Sequence, residues 1–283
     1  MARAGPVTLA VLLILLAGCG GTLDKGSRPA VTISAAPIPT EKPAPTPRPQ
    51  VAPGVDSTGI VDPLELSEAH ERYLRNRSET VHLTRTNRYQ NGSLRDRTVQ
   101  VTKVAPDRDR FYTIVSVHGP KARFFGDGGR GEYWSDGDRL LQRLVRQNQS
   151  AYGIVEPEDY NPQLSQPLIP SPGGGQVYFL ATLGSFDLTN QLSRNGTVYY
   201  RLKLREITQP DALAASESVY RPRNVSLVLL IDQNGVLRRF VLDYTAVQGG
   251  TTLDVRLTGE HKHIGTTSVV RPTWYRRAIN ETT

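Results

Sequence analysis

The chain has 283 residues, a net charge of +7 and a single cysteine. One cysteine excludes disulfides within the chain, so the folded part must be stabilised by packing, hydrogen bonds or bound partners. The basic residues are scattered, with no block of five or six, which favours a solvated surface over a nucleic-acid interface. The length allows one or two domains.

The first 18 residues have the pattern of a lipoprotein signal peptide. Arg3 precedes an apolar run, Val7 to Ala17, that is too short for a membrane span of about 20 residues. The end of this run matches the prokaryotic lipobox, with the signal cleavage motif and its cysteine at Leu16, Ala17, Gly18 and Cys19. We therefore predict that Cys19 is lipidated and becomes the first residue of the mature protein. The alternative is an ordinary signal peptide that happens to end near a cysteine.

Lipidation of Cys19 determines where the protein resides. Two acyl or isoprenoid chains anchor a protein stably, whereas one chain binds a bilayer only marginally. We expect a protein held to the cell membrane by the lipid on Cys19 and facing the extracellular side. For such a protein a basic surface suits an anionic lipid surface better than nucleic acid, and no nucleic-acid partner is predicted.

Residues 19–60 are predicted to be a lipid-anchored, Pro-rich linker. They show no apolar periodicity, and alternating prolines such as Pro43 and Pro45 favour an extended polyproline II spacer. A Pro-rich recognition ligand is the alternative. The predicted division is a signal peptide at 1–18, the linker, and a single mostly β globular domain at 61–283.

A helix is predicted at the start of the globular domain. Asp62 is placed to cap it, Pro63 suits the first helical position, and Glu65 completes the signature of a helix start. Apolar residues then recur on one side of the following turns, so we expect the helix to end near Asn76 and to pack on a sheet.

Two runs of alternating character, Thr80–Tyr89 and Leu94–Val104, predict a β-hairpin. A three-residue loop with glycine last would pair Leu83 with Val99, and it places glycine where a G1 bulge requires positive φ. A two-residue loop would instead pair Leu83 with Gln100 and move the valines of the second strand to the other face. We predict the three-residue bulged loop.

Shorter runs of alternating apolar and polar residues, separated by turn residues, predict the strands and helices in the middle of the domain. Further strands are expected at Arg110–Val117, Lys121–Phe125, Glu132–Ser135, Arg139–Val145 and Thr197–Leu204. Short helices are expected at Gln176–Leu183, Pro210–Ala215 and Pro272–Ile279. The region Ala151–Gly175, rich in proline, glycine and polar residues, is predicted to be a long loop.

The clearest architecture lies near the C-terminus, where three strands are predicted to share one apolar face. A two-residue turn at Gly249 and Gly250 pairs Leu242 with Leu257, and the apolar row that contains Leu229 lies on the same face. The other face of these strands is polar. We predict an α+β, mostly β fold: a strongly curved antiparallel sheet, shaped as a half-open barrel, with a few helices covering its apolar face.

The partial matches to cofactor-binding and metal-binding motifs do not predict an enzyme. Gly126, Gly128 and Gly131 match a dinucleotide fingerprint, but they open no helix and sit in no β-α-β unit, so a hairpin loop is favoured. His261 and His263 are expected on one strand face, a spacing compatible with a metal, but no third ligand is evident. We predict a non-catalytic protein with no cofactor and no metal.

Asparagine followed two residues later by serine or threonine recurs more often than chance predicts. These candidate glycosylation sites are Asn76, Asn91, Asn148, Asn195, Asn224 and Asn280. One interpretation is N-glycosylation of an exported domain. The other is that they are turn residues, since Asn-Gly-Ser/Thr also suits hairpins. Together with the lipobox, the glycosylation interpretation points to an archaeal cell surface.

Four segments resemble a family of haloarchaeal surface lipoproteins. They are RTNRYQNGSLRDRTVQV, EYWSDGDRLLQRL, RPRNVSLVLLIDQNGVLRRFVLDYTA and VVRPTWYRRA, and the resemblance extends from Asp62 to Ile279. It implies a cell-surface location and a strand-rich fold, and no reaction. The layout of an early helix followed by repeated hairpins is also similar, at fold level, to the half-open barrels of LolA/LolB and LppX-type lipid carriers.

The first functional hypothesis is a membrane-anchored binding module for a lipid or other hydrophobic ligand. Its candidate apolar ligand face comprises Leu227, Leu229, Phe240, Leu242, Tyr244, Val255 and Leu257, with Tyr133 and Trp134 near a mouth. The alternative is a structural or interaction lipoprotein of the cell envelope with no small-molecule ligand. A binding module should have a largely apolar pocket between sheet and helices. A structural domain should be filled there at normal interior density.

Overall fold

The protein is mostly β, as a computed structural model shows for residues 49–122, 126–155 and 173–282. The first eight described strands are β1 (Gln50–Ala52), β2 (Val55–Asp56), β3 (Glu79–Tyr89), β4 (Leu94–Val104), β5 (Arg110–His118), β6 (Arg130–Asp136), β7 (Leu140–Arg146) and β8 (Gln149–Ile154). The next five are β9 (Gly184–Arg194), β10 (Thr197–Ile207), β11 (Tyr220–Asp232), β12 (Leu237–Gln248) and β13 (Thr251–Lys262). The described helices are α1 (Pro63–Leu74), α2 (Gly174–Thr182), α3 (Pro210–Glu217) and α4 (Tyr275–Thr282).

Eleven of these strands form one antiparallel sheet. Its spatial order is β8-β7-β6-β5-β4-β3-β13-β12-β11-β10-β9, and β1 pairs with β2 in a small separate sheet. The large sheet stays open, because β8 and β9 are its edges. The predicted fold class, a strongly curved antiparallel sheet with a few helices, is confirmed.

Helix α1 begins where the sequence predicts it. The Asp62 side chain accepts hydrogen bonds from the backbone N–H groups of Leu64 (3.0 Å) and Glu65 (2.9 Å), and Pro63 occupies the first helical position. The helix ends at Leu74, which is fully buried. Its apolar side faces the sheet, as the spacing predicts.

Alternation along the strands gives the large sheet two faces. We define the inner face as the one that carries Leu242 and Leu257, which are paired as predicted across β12 and β13. The helices α1, α2 and α3 bury Leu66, Leu180 and Leu213 against this face in the main core. The opposite side is the outer face, and on β12 and β13 it carries mostly polar side chains.

Helix α4 lies on the outer face, whereas α1, α2 and α3 cover the apolar inner face as predicted. Trp134 pairs with Leu141 on the outer side of β6 and β7, and both pack against Trp274 and Ala278 in a second, smaller core. These strands carry apolar side chains on both faces. Each face therefore needs its own cover.

The hairpin of β3 and β4 has the predicted loop but not the predicted pairing. Gly92 takes a φ of 82°, and its N–H donates a 2.8 Å hydrogen bond to the carbonyl three residues earlier. Leu83 nevertheless pairs with Gln100, so the predicted pair of Leu83 with Val99 is wrong. The reason is a β-bulge in β4, where the extra residue Arg95 shifts the register by one just beyond the loop.

The strands β1 and β2 lie within the range 19–60 that was predicted as linker. Ala52 and Val55 are buried in the main core, so the folded part begins before residue 61. These strands are only three and two residues long, too short to show a periodicity.

Three further differences from the prediction concern β8, β9 and the strand expected at Lys121. β8 occupies the start of the predicted loop Ala151–Gly175, and β9 was not predicted because half of its length is polar and exposed. Lys121 and Ala122, predicted to open a strand, lie outside any strand, and residues 123–125 fall outside the described part of the chain.

Candidate functional site

A cavity of about 220 Å³ lies between the inner face and the helices α2 and α3. We call it the inner cavity. Its wall has an apolar part and a polar part, formed by Gln176, Phe179, Leu180, Ser216, Glu217, Leu242 and Leu257. Apolar and polar groups also share the wall of a typical small-molecule site, although such sites are mostly apolar and usually about 300–1,000 Å³ in volume.

Two short helices form the roof of the inner cavity. α2 is almost entirely apolar, and Val177 and Leu180 anchor it to the core. Its N-terminus begins after Gly173, which has a φ of 80° and provides no side-chain cap. α3 begins with Pro210, buries Leu213 and ends at Glu217, which the helix thereby places at the cavity wall.

The polar side of the inner cavity rests on a three-residue network. Arg85 of β3 forms an ion pair with Glu217, and its Nη2 donates to the Tyr244 hydroxyl at 3.2 Å. The Tyr244 hydroxyl in turn donates to Oε2 of Glu217 at 3.0 Å. The Glu217 side chain is only 9% exposed, so its charge is matched inside the fold and not by solvent.

The pKa values of both Arg85 and Tyr244 are raised in this network. Burial raises the pKa of Tyr244 and Glu217 raises it further, although Arg85 opposes both, so the phenol stays a hydrogen-bond donor. Burial lowers the pKa of Arg85, but the neighbouring Glu217 and Tyr244 outweigh it and raise the pKa overall. Arg85 therefore stays a guanidinium cation and Tyr244 a neutral phenol.

The structure brings together all seven residues of the predicted apolar ligand face. Leu227, Leu229, Phe240, Leu242, Tyr244, Val255 and Leu257 are all buried in the main core. Leu242 and Leu257 line the inner cavity. The two predicted mouth residues separate, because neighbours on a strand point to opposite faces: Tyr133 lies on the inner side of β6 and Trp134 in the second core.

No family model matches the chain, and no curated protein matches it. Among solved structures, it is similar to LprF from Mycobacterium bovis at 10% identity and a TM-score of 0.38, over 74% of this chain and 96% of that one. It is similar to the MucA/MucB complex structure of Pseudomonas aeruginosa at 14% identity and a TM-score of 0.32, over 74% of this chain and 59% of that one. A domain assigned to an outer membrane lipoprotein-sorting protein of Vibrio parahaemolyticus shows 9% identity and a TM-score of 0.28, over 76% and 97% of the two chains.

These likenesses are remote, with identities of 14% or less and TM-scores of 0.38 or less. They do not establish a family for the chain. The resemblance to haloarchaeal surface lipoproteins has no support from these comparisons and stays a prediction.

A second hollow, of about 490 Å³, lies at the outer face of β3, β13, β12 and β11. It is lined by Thr86, Arg88, Asn224, Asp243, Tyr244, Thr245, Asp254, Val255 and Arg256. Charges of both signs alternate there, and Arg256 lies 3.6 Å from Asp243. The sequence predicted this polar face but not the hollow, which adjoins the irregular pairing of β11 beside Asn224.

Sequence reasoning also missed a buried polar cluster where α1 meets β3 and β13. Glu79 accepts a 2.7 Å hydrogen bond from Arg108 and lies 2.6 Å from Nδ1 of His261. The ring of His70 packs edge-on against His261, with 5.0 Å between centroids. Nδ1 of His70 accepts a 3.1 Å hydrogen bond from the N–H of Leu237. These residues are far apart in the sequence, so no motif marks them.

The pKa values of both His70 and Glu79 are lowered in this buried polar cluster. Burial lowers the pKa of His70 well below 6.5, and the nearby His261, Arg108 and Arg238 lower it further, so His70 is neutral and accepts at Nδ1. Burial raises the pKa of Glu79, but hydrogen bonds and charges from His261 and Arg108 outweigh it and leave the pKa below 4.5. Glu79 is therefore an ionised carboxylate inside the core.

His261 and His263 do not share a strand face, contrary to the prediction. β13 ends at Lys262, and His263 turns away with a φ of 49°. Nδ1 of His261 is engaged by Glu79. Across residues 49–122, 126–155 and 173–282, no three His, Cys, Asp or Glu side chains are grouped to hold a metal ion.

All six candidate glycosylation sites, Asn76, Asn91, Asn148, Asn195, Asn224 and Asn280, are exposed. Four of them, Asn76, Asn148, Asn195 and Asn224, have positive φ, a conformation for which asparagine is favoured. Exposure suits glycosylation, and positive φ suits the turn interpretation, so both remain open.

Gly126, Gly128 and Gly131 belong to the connection between β5 and β6 and to β6 itself, so they open no helix. Cys19 and the cleavage motif Leu16, Ala17 and Gly18 lie outside the described residues. Of the helices in the described part of the chain, none has the length and apolar character to cross a membrane.

Proposed function

We propose that the protein is a membrane-anchored cell-surface lipoprotein whose folded domain binds a lipid or another hydrophobic ligand, without catalysis. The inner cavity is the observation that carries this proposal. It lies between the sheet and two helices and reaches Leu242 and Leu257 of the predicted ligand face. Partners would thus be the membrane, through the lipid on Cys19, and the ligand.

The size of the inner cavity sets how a ligand enters. At about 220 Å³ it accommodates a segment of an apolar chain, and a longer chain requires one of the roof helices to move. Neither α2 nor α3 has a side-chain cap at its N-terminus, and we infer that α2 moves, because it begins with two glycines, Gly174 and Gly175. Displacing it exposes the apolar row beneath.

Filling the inner cavity should abolish ligand binding. In Leu257→Trp, the larger side chain projects into the cavity from β13, so the affinity for the neutral apolar probe N-phenyl-1-naphthylamine should fall by about tenfold or more, the effect of roughly 1.4 kcal/mol. Titration of probe fluorescence measures this. Thr258→Trp is the matched control, since the next residue on the strand faces outward and should leave the affinity unchanged.

Equal probe affinity in Leu257→Trp and the unmodified protein contradicts binding at the inner cavity. The direct counterpart is native mass spectrometry of protein purified from its own membrane. A co-purified lipid that is present in Thr258→Trp and lost in Leu257→Trp supports the proposal.

Anchoring is tested at Cys19. In Cys19→Ser no thiol is available for lipidation, so the protein should leave the membrane fraction and appear in the soluble fraction. Fractionation followed by immunoblotting measures this, with Thr22→Ser as a control that keeps the cysteine. A Cys19→Ser protein that still sediments with membranes contradicts the lipid anchor.

A structural or interaction lipoprotein without a small ligand is the second candidate. It is favoured by the tight filling of most of the inner face, where Leu227, Leu229 and Phe240 are at most 1% exposed. This candidate predicts that no lipid co-purifies and that Leu257→Trp changes stability alone. The same two measurements therefore separate the candidates.

A further inference from the structure

The charge of the inner cavity wall indicates which polar group a ligand carries. Glu217 lines the cavity, while Arg85 lies behind it and neutralises it. Both bonds that Glu217 receives, from Arg85 and from Tyr244, go to Oε2. Within the described residues no group donates to Oε1, so this oxygen is available to a ligand.

Two more polar groups lie on the same wall. Ser216 and Gln176 also line the inner cavity, and their side chains can each donate and accept hydrogen bonds. Glu217 is the charged residue among those that line the wall, and its ion pair with Arg85 behind it balances this charge.

A charged head group fits this wall poorly. A carboxylate or phosphate would face the carboxylate of Glu217, and the nearby cation, Arg85, is already paired with that residue. An ammonium would compete with Arg85 and leave a guanidinium without its partner in a mostly buried position. A hydroxyl group avoids both costs, because it donates to Oε1 and accepts from Ser216 or Gln176.

We propose that the inner cavity selects an uncharged amphiphile whose hydroxyl-bearing head group binds Glu217, Ser216 and Gln176. This inference rests on the proposed hydrophobic-ligand function and names the ligand class for the same site. The ion pair of Arg85 and Glu217 thereby acts as the specificity element, and the apolar residues Leu242 and Leu257 receive the chain.

The test compares three amphiphiles that share one twelve-carbon chain. 1-Monododecanoylglycerol, dodecanoate and dodecylammonium are titrated at pH 7.5 against bound N-phenyl-1-naphthylamine in the full-length protein. The glycerol ester should displace the probe with at least about tenfold higher affinity than either ion, because each ion leaves a charge unpaired.

Changing the ion pair should change the preference in a defined direction. In Glu217→Gln the guanidinium of Arg85 loses its partner, so dodecanoate should become the tightest ligand of the three. In Arg85→Met the carboxylate is unpaired and dodecylammonium should gain. Asp243→Asn is the matched control, since it breaks the ion pair with Arg256 on the outer face of β12 and β13 and should leave the order unchanged.

The outcomes separate the inference from the function beneath it. Tighter binding of dodecanoate or dodecylammonium than of the ester by the unmodified protein overturns the ligand class and leaves hydrophobic binding intact. Failure of the probe and all three amphiphiles to bind overturns the proposed function itself. If either variant does not fold, the ranking measured on the unmodified protein decides alone.

Discussion

Replacing Glu79 by alanine is expected to lower the free energy of unfolding by about 3–5 kcal/mol, the usual effect of removing one member of a buried ion pair. The Glu79 side chain is 1% exposed and bonds both Arg108 and His261. Its removal leaves the guanidinium of Arg108 and the ring of His261 without this carboxylate. Urea denaturation followed by circular dichroism measures the change.

Glu260→Ala is the matched control for Glu79→Ala. Glu260 also bonds two basic side chains, Lys262 and Arg239, but it lies on the outer face and is 27% exposed. Its removal should cost about 1 kcal/mol or less, because surface ion pairs contribute little. Similar losses in the two variants contradict the structural role assigned to the buried polar cluster.

Glu79→Ala should also change how the stability of the protein depends on pH. The pKa of Glu79 is lower in the folded protein than its ordinary value of 4.5, so the unfolded chain takes up the proton first as the pH falls. The stabilisation is present above about pH 4.5 and is lost as the pH falls through the folded pKa. As the pH falls below about 4.5, stability should therefore fall less steeply in Glu79→Ala than in the unmodified protein.

Replacing Phe240 by alanine should lower the free energy of unfolding by about 3–5 kcal/mol, as for other buried aromatic residues. Phe240 is 1% exposed on the inner face and pairs with Gly259. The pairing is specific, because a Cβ at position 259 would lie 2.1 Å from the ring of Phe240. Thermal and urea denaturation measure the loss, with Val241→Ala on the outer face as control at roughly 1 kcal/mol.

A double-mutant cycle tests this contact directly. Gly259→Ala alone should destabilise the protein by about 1–3 kcal/mol, because the new methyl group overpacks the ring of Phe240. In a Phe240→Leu background the same change should cost less, since the ring is absent. Additive effects in the double variant contradict the packing of this ring on the glycine.

The inner cavity is where the two functional candidates diverge. Most of the predicted ligand face is filled by side chains from the helices, as a structural lipoprotein requires. The cavity at Leu242 and Leu257 is the exception, and it borders the network of Arg85, Glu217 and Tyr244. A polar network beside the apolar side chains of Leu242 and Leu257 is an arrangement suited to binding an amphiphile.

The sequence alone determined the local features of the fold. The helix start at Asp62 and Pro63 and the two-residue turn after β12 follow from a few adjacent residues, and both are confirmed. The shared face of Leu242 and Leu257 was predictable for the same reason, since alternation and turn length fix register between neighbouring strands. The expected lipid anchor at Cys19 rests on an equally local motif.

Tertiary structure decided what depends on residues distant in the chain. The bulge at Arg95 shifted the predicted hairpin register by one residue, and α4 packs on the outer face beside Trp134. The contact of Arg85 with Glu217 joins residues 132 positions apart, and that of Glu79 with His261 joins residues 182 apart. Sequence periodicity reports which side of a strand a residue occupies, but not which distant side chain meets it, because that depends on how the whole sheet and its helices pack.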